Sequence, residues 1–325
     1  MPARRERIWY QGQAVPWSWR VLARLYGAVT ALRRAAYRRG WLRSFAVDKP
    51  VVVVGNISVG GTGKTPLTIA LVRALDARGL RAGVVSRGYG GTARGPLLLD
   101  AQSTAGQVGD EPLLIQRLSG APVVVGRDRV AAAQMLLQSA DIDVILADDG
   151  LQHYRLRRKV EICVIDGARR FGNRRLLPAG PLREPLQRLD SVDFRVCNGG
   201  MAHADEVQLR LRDSGARRLL DVAEPVALEH FAHRRVHAVA GIGNPARFFD
   251  SLRACRIEVI EHAFADHHLF QPQDLAFGDD LPLLMTEKDA IKCRDFAQPH
   301  WWQVAVEAQL PAAFLDTLAA RIRAP

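Results

Sequence analysis

Short apolar runs alternate along the chain with longer segments of helical periodicity. The runs Val51–Val54, Val144–Ala147 and Val160–Ile165 are rich in β-branched residues. Such runs are typical of strands that are buried on both faces of a parallel sheet. Further strands are predicted at Leu80–Val85 and Pro122–Val125, with helical segments between them. The alternation of strand and helix predicts the α/β class with a doubly wound parallel sheet.

The same alternation starts again near residue 223. A strand at His237–Ala240 is followed by a glycine turn, the helix Ala246–Ala254 and another strand at Leu281–Thr286. A last helix is predicted near Ala312–Arg323. We therefore predict three parts, which are an N-terminal arm of residues 1–45, a first domain of residues 46–222 and a second, smaller α/β domain of residues 223–325.

The glycine turn of the second domain has two interpretations. Residues 241–246, GIGNPA, are close to the GxGxxA pattern of dinucleotide sites, and Glu261 lies 20 residues beyond Gly241. Asn244 and Pro245 also suit the cap and the first residue of a helix. We favour the helix cap, because it explains both residues without a ligand.

Positive charge is concentrated in the first 45 residues. This arm carries ten Arg, no Lys and one acid, Glu6, so its net charge is +9 out of +11 for the whole chain. Wound as a helix, residues 17–39 place an apolar face opposite a basic face, with Trp19, Tyr26 and Tyr37 at the borders. The apolar face consists of Leu22, Leu25, Val29 and Leu32, and the basic face of Arg20, Arg24, Arg34 and Arg38.

A helix of this kind is typical of the membrane interface, which is the interpretation we favour for the arm. One alternative is a helix that packs its apolar face on its own domain. Another is nucleic-acid binding, which the nearly neutral remainder of the chain disfavours. No run of 18 apolar residues is present, so we expect no membrane span. Four scattered cysteines without a CxxC motif indicate a reducing compartment.

A glycine-rich segment follows the first predicted strand. Residues 55–66 are GNISVGGTGKTP, and a helical segment comes directly after them. A strand, a glycine-rich turn, Gly-Lys-Thr and a helix form the context of a Walker A phosphate loop. We expect Lys64 to reach the β- and γ-phosphates of a nucleotide and the hydroxyl of Thr65 to hold Mg²⁺. Ser58 stands where the usual pattern has its first glycine, so this loop is of a minor variety.

Acidic residues end one predicted strand and precede one predicted helix. Asp148 and Asp149 follow the apolar run Val144–Ala147, as a Walker B acid does, so they are candidates for Mg²⁺. The alternative is a pair of acids that cap the next helix. Asp110 lies just before the helical segment Leu113–Leu118, where an acid is more often a cap than a catalytic group. A kinase nevertheless needs a carboxylate to accept or orient the proton of the attacking hydroxyl.

Together, these motifs resemble those of one family, the tetraacyldisaccharide 4′-kinases of lipid A synthesis. The matching segments run from Val52 to about Lys292, and their order along the chain is more specific than any one of them. They are GNISVGGTGKTP at 55–66, SRGYGG at 86–91, GDEP at 109–112, DDGLQH at 148–153, FGN at 171–173, LLPAGPLREP at 176–185, AGIGNPARFF at 240–249, FADHH at 264–268 and TEKDAIK at 286–292. The loop of that family also has the form seen around Ser58.

The resemblance implies a P-loop NTPase-like fold and transfer of the γ-phosphate of ATP to the 4′-hydroxyl of tetraacyldisaccharide 1-phosphate, which forms lipid IVA. It implies Mg²⁺, an acylated disaccharide lipid as partner, no nucleic acid, and a peripheral location on the cytoplasmic face of the bacterial inner membrane. By position it implies nucleotide binding by Gly60, Gly61, Thr62, Gly63, Lys64, Thr65, Arg183 and Glu184, and metal binding by Thr65, Asp148 and Asp149.

The resemblance also implies the catalytic residues. Asp110 matches the residue that activates the 4′-hydroxyl, His267 matches a histidine that pairs with it, and Lys64 matches the P-loop lysine. His267 and His268 are no metal pair, because adjacent residues cannot both face one ion on a regular element. Glu287, Lys288 and Asp289 receive no role.

One alternative function remains open at this point. The paired glycines Gly60 and Gly61 resemble the deviant loops of MinD-like membrane-associated switch ATPases. The signature lysine of those loops would fall at Val59, which argues against this alternative. A switch ATPase would dimerise with ATP and form no phosphorylated product.

Overall fold

The computed structural model describes residues 4–220 and 224–324. The boundary that we predict between residues 222 and 223, and residues 1–3 of the arm, lie outside this range. The described helices are α1 Arg4–Tyr10, α2 Trp17–Arg38, α3 Lys64–Asp76, α4 Ala105–Val108, α5 Asp110–Ser119, α6 Arg129–Ser139, α7 Pro245–Ala254, α8 Glu287–Cys293 and α9 Ala312–Arg323.

Within the described residues, twelve strands form one sheet. They are β1 Val51–Gly55, β2 Ala82–Ser86, β3 Leu97–Leu98, β4 Val123–Val125, β5 Val144–Asp148, β6 Val160–Asp166, β7 Phe194–Asn198, β8 Val207–Arg218, β9 Arg235–Ala240, β10 Glu258–Ala263, β11 Leu283–Thr286 and β12 Trp301–Gln309. Their order across the sheet is β10-β9-β11-β12-β8-β7-β6-β1-β5-β2-β4-β3. The predicted α/β class with a mainly parallel sheet is confirmed.

The sheet has a first half, β1–β7 with the helices packed on it, and a second half, β9–β12 with its helices. The centre of the first half follows directly from the β-branched runs. Residues of β1 alternate between two apolar layers, because successive side chains of a strand point to opposite faces. Val52 and Val54 pack in a layer that includes α3, and Val51 and Val53 pack in a layer that includes α6. Helices on both faces of the sheet therefore leave only the ends of the strands free for ligands.

The strand β8 joins the two halves of the sheet. It pairs in parallel with β7 of the first half and antiparallel with β12 of the second half. The sequence analysis lacks β8, because its residues Arg210–Arg218 are mostly charged and its burial is irregular. The division into two α/β domains stays a prediction, since the sheet is continuous across both.

The last helix of the chain returns to the first half. In α9, Phe314 and Leu318 lie in the same apolar layer as Leu67 and Leu71 of α3. The rings of Phe314 and Phe194 meet edge to face at 5.0 Å. The C-terminal end of the chain thus completes the core that supports the glycine-rich loop.

The arm has the predicted helix, and its apolar face points outward. Ala23 is the buried residue of α2, and Gly27 lets the helix approach the chain near Leu176, where an added Cβ would lie 2.8 Å from Cδ1. Leu25, Val29 and Leu32 are 60%, 65% and 65% exposed. The alternative in which this face packs on its own domain is therefore wrong. No helix in residues 4–220 or 224–324 has the length and apolar character needed to cross a membrane.

Candidate active site

The glycine-rich loop wraps the N-terminus of α3. Its backbone takes left-handed angles at Gly60, with φ +111°, and at Gly63, with φ +90°, which side chains other than glycine rarely adopt. The amide of Asn198, at the end of β7, donates to the backbone oxygen of Thr62 at 3.0 Å. A Cβ at Gly63 would lie 2.2 Å from that amide nitrogen. The loop is therefore held in the shape that points N–H groups at a phosphate.

A cavity of about 950 Å³ opens above this loop. Its first wall is the loop itself, with the predicted residues Gly60, Gly61, Thr62, Gly63, Lys64 and Thr65. A second wall comes from α2 of the arm, through Tyr26, Val29, Thr30 and Arg33. A third comes from the second half, through Gly243, Asp266, His267 and Lys288. A nucleotide on the loop would face both the arm and the second half.

The acids at the end of β5 have different surroundings. Asp148 is 1% exposed; one carboxylate oxygen accepts from Thr68 at 3.3 Å, and the other has no hydrogen-bond partner among the described residues. Burial, followed by the charge of Glu111, raises the pKa of Asp148 to about 7. A cation nearby would favour the ionised form of this carboxylate and would satisfy its unpaired oxygen.

Asp149 lines the cavity and already faces two cations. Its carboxylate lies 3.5 Å from Lys64 Nζ and 3.2 Å from the guanidinium of Arg183. Burial raises the pKa of Asp149, but Lys64 and Arg183 outweigh this and hold it below the usual value. Asp149 is thus charged and accessible, and Asp148 lies buried behind it.

The predicted residues Arg183 and Glu184 do different things. Both line the cavity, but Arg183 binds Asp149, whereas Glu184, 4% exposed, accepts hydrogen bonds from Gln152, at 3.0 Å, and from the hydroxyl of Tyr154. Glu184 therefore fixes the segment that follows Asp149. The carbonyl of Arg183 accepts from Tyr26 of α2 at 3.0 Å, which ties the arm to the site.

Asp110 and His267 meet although they are 157 residues apart in the chain. His267 Nδ1 lies 3.0 Å from one oxygen of Asp110 and 3.1 Å from the other. Asp110, 5% exposed, is the first residue of α5, and His267 lies in the loop after β10 with its ring 5.1 Å from that of Tyr89. Charge-assisted bonds of this length are among the stronger ones in proteins.

Each partner shifts the titration of the other. Burial raises the pKa of Asp110, but the hydrogen bond to His267 and the charge of Lys288 reverse this, so the net pKa is lowered. The hydrogen bond to Asp110 is the largest effect on His267 and raises its pKa. The pair is therefore an ion pair over a wider pH range than two free side chains would be.

Lys288 is a residue of this site that the sequence analysis missed. Its Nζ lies 3.1 Å from Asp266, 3.2 Å from Glu111 and 3.8 Å from Asp110. His268, which follows His267 in the chain, instead forms a hydrogen bond with Asp274 at 3.0 Å, outside the cavity. Only the TEKD segment could have pointed to Lys288 in the sequence, because its three acidic partners lie far from it along the chain.

The residues predicted to hold Mg²⁺ fit that ion. Among the described residues, the one group of three possible ligands at ion distance is His203, Asp205 and Glu206, which lies elsewhere. Mg²⁺ needs no such cluster, since it binds one or two carboxylates together with waters and phosphate oxygens. The unpaired buried oxygen of Asp148 and the accessible carboxylate of Asp149 supply that set, with Thr65 at the start of α3.

The fold and the site together define a P-loop phosphotransferase, in which the phosphate loop, Asp149 and His267 line one cavity and His267 is bonded to Asp110. The sequence profile of the tetraacyldisaccharide-1-P 4′-kinase family matches residues 15–323. The chain belongs to this family. It is therefore a kinase of lipid A biosynthesis, and the predicted enzyme class is confirmed. The switch-ATPase alternative is set aside.

Relatives that carry this name match along almost the whole chain. The tetraacyldisaccharide 4′-kinase of Stenotrophomonas maltophilia is 54% identical over 324 residues, which cover 97% of this chain and 95% of the relative. That of Aeromonas salmonicida is 51% identical over 317 residues, covering 96% and 95%. A crystal structure of the family member from Aquifex aeolicus in complex with ATP aligns with a TM-score of 0.75 and 27% identity, covering 93% of this chain and 96% of the other.

Proposed function

We propose that this chain transfers the γ-phosphate of ATP to the 4′-hydroxyl of tetraacyldisaccharide 1-phosphate, with Asp110 as the group that accepts the hydroxyl proton. The observation that carries the proposal is the Asp110–His267 pair, bonded at 3.0 Å beside the cavity that holds the phosphate loop. A carboxylate positioned against a hydroxyl contributes typically 10²- to 10⁴-fold to such a transfer.

Nucleotide binding rests on the loop. The backbone N–H groups of Gly60–Thr65 and the N-terminal end of α3 favour the β- and γ-phosphates. Lys64, at 11% side-chain exposure, lies within the same cavity and supplies a cation to the γ-phosphate. Arg183 adds a second positive charge on the side of the arm.

Mg²⁺ is part of the proposal through Thr65, Asp148 and Asp149. These residues would hold the ion, which would supply positive charge against the transferred group. Asp149 is the direct ligand that we propose, because it lines the cavity, and Asp148 supports it from behind. His267 keeps Asp110 charged and oriented, and Glu184 holds the strand-end segment in place.

We further propose that the chain works at the cytoplasmic face of the inner membrane as a peripheral protein. The exposed face of α2 borders the cavity at Val29, so acyl chains in the bilayer and a sugar headgroup at the loop can be reached together. Basic residues of the arm add attraction to anionic lipid of roughly 1 kcal/mol each.

The first test is phosphate transfer from γ-labelled ATP and Mg²⁺ to tetraacyldisaccharide 1-phosphate in detergent micelles. The wild-type chain should form a labelled lipid, and Lys64→Ala should abolish it. Asp110→Ala should lower kcat by roughly 10²- to 10⁴-fold, while the Kd for ATP changes by less than about threefold.

A matched control is available one residue from His267. Asp274 and His268 form an Asp–His bond of the same 3.0 Å length away from the cavity, so Asp274→Ala should leave kcat unchanged. If Asp110→Ala retains wild-type turnover, Asp110 is not the proton acceptor. ATP hydrolysis without a labelled lipid would overturn the proposed reaction.

A further inference from the structure

Lys288 is a charged group of the cavity to which the proposed reaction gives no task. It is the second residue of α8, and its side chain is 15% exposed. Burial lowers the pKa of Lys288, but the charges of Glu111, Asp110 and Asp266 outweigh burial and raise it above the usual value. The ammonium group is therefore charged at every pH at which the enzyme would work.

Three carboxylates surround this single ammonium group. Asp110 and Glu111 belong to α5 of the first half, and Asp266 belongs to the loop after β10 in the second half. Like charges this close repel unless a cation lies between them. The ammonium group donates hydrogen bonds to Glu111 and Asp266 and forms an ion pair with Asp110 at 3.8 Å. Lys288 thus holds acids of both halves in one arrangement.

The helix that carries Lys288 is itself fixed firmly. Thr286 caps α8 by accepting from the N–H of Asp289 at 3.2 Å, and Asp289, fully buried, accepts from the N–H of Gly241 at 2.9 Å. Gly243, two residues further on, touches the phosphate loop, since a Cβ there would lie 2.7 Å from the nitrogen of Gly61. The helix that carries Lys288 is therefore linked, through Asp289 and Gly241, to the contact between Gly243 and the phosphate loop.

We infer that Lys288 is a positioning residue for phosphate transfer, which holds Asp110 towards the acceptor hydroxyl only when the second half is seated on the phosphate loop. This inference rests on the proposed function, because it concerns the same Asp110. Lys288 acts through the carboxylates, and no contact of Lys288 with the transferred group is needed. A displacement of about 1 Å at a reacting group can cost about 100-fold in rate.

The groups that face Asp110 set the direction of a pH effect. They are Lys288 and Lys292 of α8, His267 and Asp266 of the loop after β10, and Glu111 of α5. Without the ammonium of Lys288, the pKa of Asp110 rises, since that charge lowers it. The pKa of His267 also rises, because Lys288 opposes its protonation. The rise at Asp110 moves the acidic limb of activity to higher pH, whereas the rise at His267 extends the range in which the imidazole stays protonated.

The test compares Lys288→Met with Lys288→Arg in the micelle assay. Lys288→Met should lower kcat by roughly 10- to 100-fold while the KM for ATP changes by less than about threefold. The acidic limb of its kcat profile should move upward by about one pH unit. Lys288→Arg keeps the charge and should recover at least about tenfold of the lost kcat.

Lys159→Met is the matched control. Lys159 also joins distant parts of the chain, by donating to the carbonyls of Ile322, at 3.3 Å, and Ala324, but it lies outside the cavity. This variant should lose stability and keep both kcat and the pH profile. Equal kcat values for Lys288→Met and wild type, or a lowered kcat with an unmoved acidic limb and no recovery in Lys288→Arg, would overturn the inference.

The same data separate this inference from the proposed function. If the wild type forms labelled lipid and Asp110→Ala does not, the proposed function stands whatever Lys288→Met does. If the wild type forms no labelled lipid, the proposed function fails first.

Discussion

Asp110 remains charged in a place where burial alone would neutralise it. His267 donates to its carboxylate, and Lys288 supplies a second positive charge. Burial opposes ionisation, and the two cations outweigh it. A carboxylate prepared in this way is ionised before substrate arrives, so no part of the barrier is used to deprotonate it.

The Asp110–His267 ion pair should make stability depend on pH. Because the pKa of His267 is raised, its contribution is full below pH 6.5 and is lost as the pH rises through the folded-state value. Because the pKa of Asp110 is lowered, its contribution is full above pH 3.8 and is lost on acidification. His267→Gln should therefore cost more at pH 5.5 than at pH 9, by about 1 kcal/mol.

Urea unfolding of both proteins at the two pH values measures this difference. Equal costs at pH 5.5 and pH 9 would show that His267 is not charged against Asp110 in the folded chain.

The phosphate loop could be predicted residue by residue, and Lys288 could not. Gly63 and Lys64 follow a strand and open a helix, so local sequence already carries their geometry. The pairing of Asp110 with His267 came from family resemblance, because nothing local links residues 157 positions apart. Lys288 depends on three acids from two other elements, and a single sequence holds no signal for such a meeting.

At the scale of elements, α2 carries an apolar face that the rest of the fold leaves uncovered. The helix is attached through Ala23, through the hydroxyl of Tyr26 and through the close approach at Gly27. Its attachment and its apolar face therefore lie on different sides. The apolar face is therefore free to contact a partner while the helix stays attached beside the cavity.

Charged substitutions on that face should separate membrane binding from folding. Leu25→Glu with Leu32→Glu should weaken binding to anionic vesicles by at least about tenfold, since two apolar side chains leave the interface and two acids meet anionic lipid. The melting temperature should stay unchanged, because both side chains are 60% or more exposed. Sedimentation with vesicles measures binding.

Ala28→Glu is a control for the added charge on the same helix, outside the predicted apolar face. Undiminished vesicle binding by the double variant would exclude α2 as the membrane contact.

Strands that are buried on both faces of the sheet could be predicted from the sequence. The antiparallel pair β8 and β12, which joins the two halves, could not. The prediction at Val51–Val54 corresponds to β1, and that at Leu80–Val85 is found two residues later, at β2. The strand β12 is absent from the prediction, although it contains the β-branched residues Val304 and Val306. Its antiparallel partner β8 is largely charged, so the join between the halves has no apolar signal.

At the scale of the whole molecule, the two halves share their support. The strand β8 pairs with strands of both, and α9 follows the second half along the chain yet packs on α3 of the first. The first half therefore lacks a complete core without α9. We therefore expect the described chain to unfold as one cooperative unit.

Leu318→Ala tests this expectation from the end of the chain. Leu318 is fully buried among residues of the first half, so the truncation should cost about 2–5 kcal/mol. Thermal unfolding followed by circular dichroism and by loss of ATP binding should shift together. Thr317→Ala, an exposed neighbour, should shift neither, and separate transitions in Leu318→Ala would contradict the shared core.

The return of α9 also sets an order of events during synthesis. Translation makes α3 well before α9. Until α9 emerges, Leu67 and Leu71 of α3 lack the helix that packs on them. The phosphate loop is therefore made early in synthesis, but the core that supports it is completed only by a late segment of the chain.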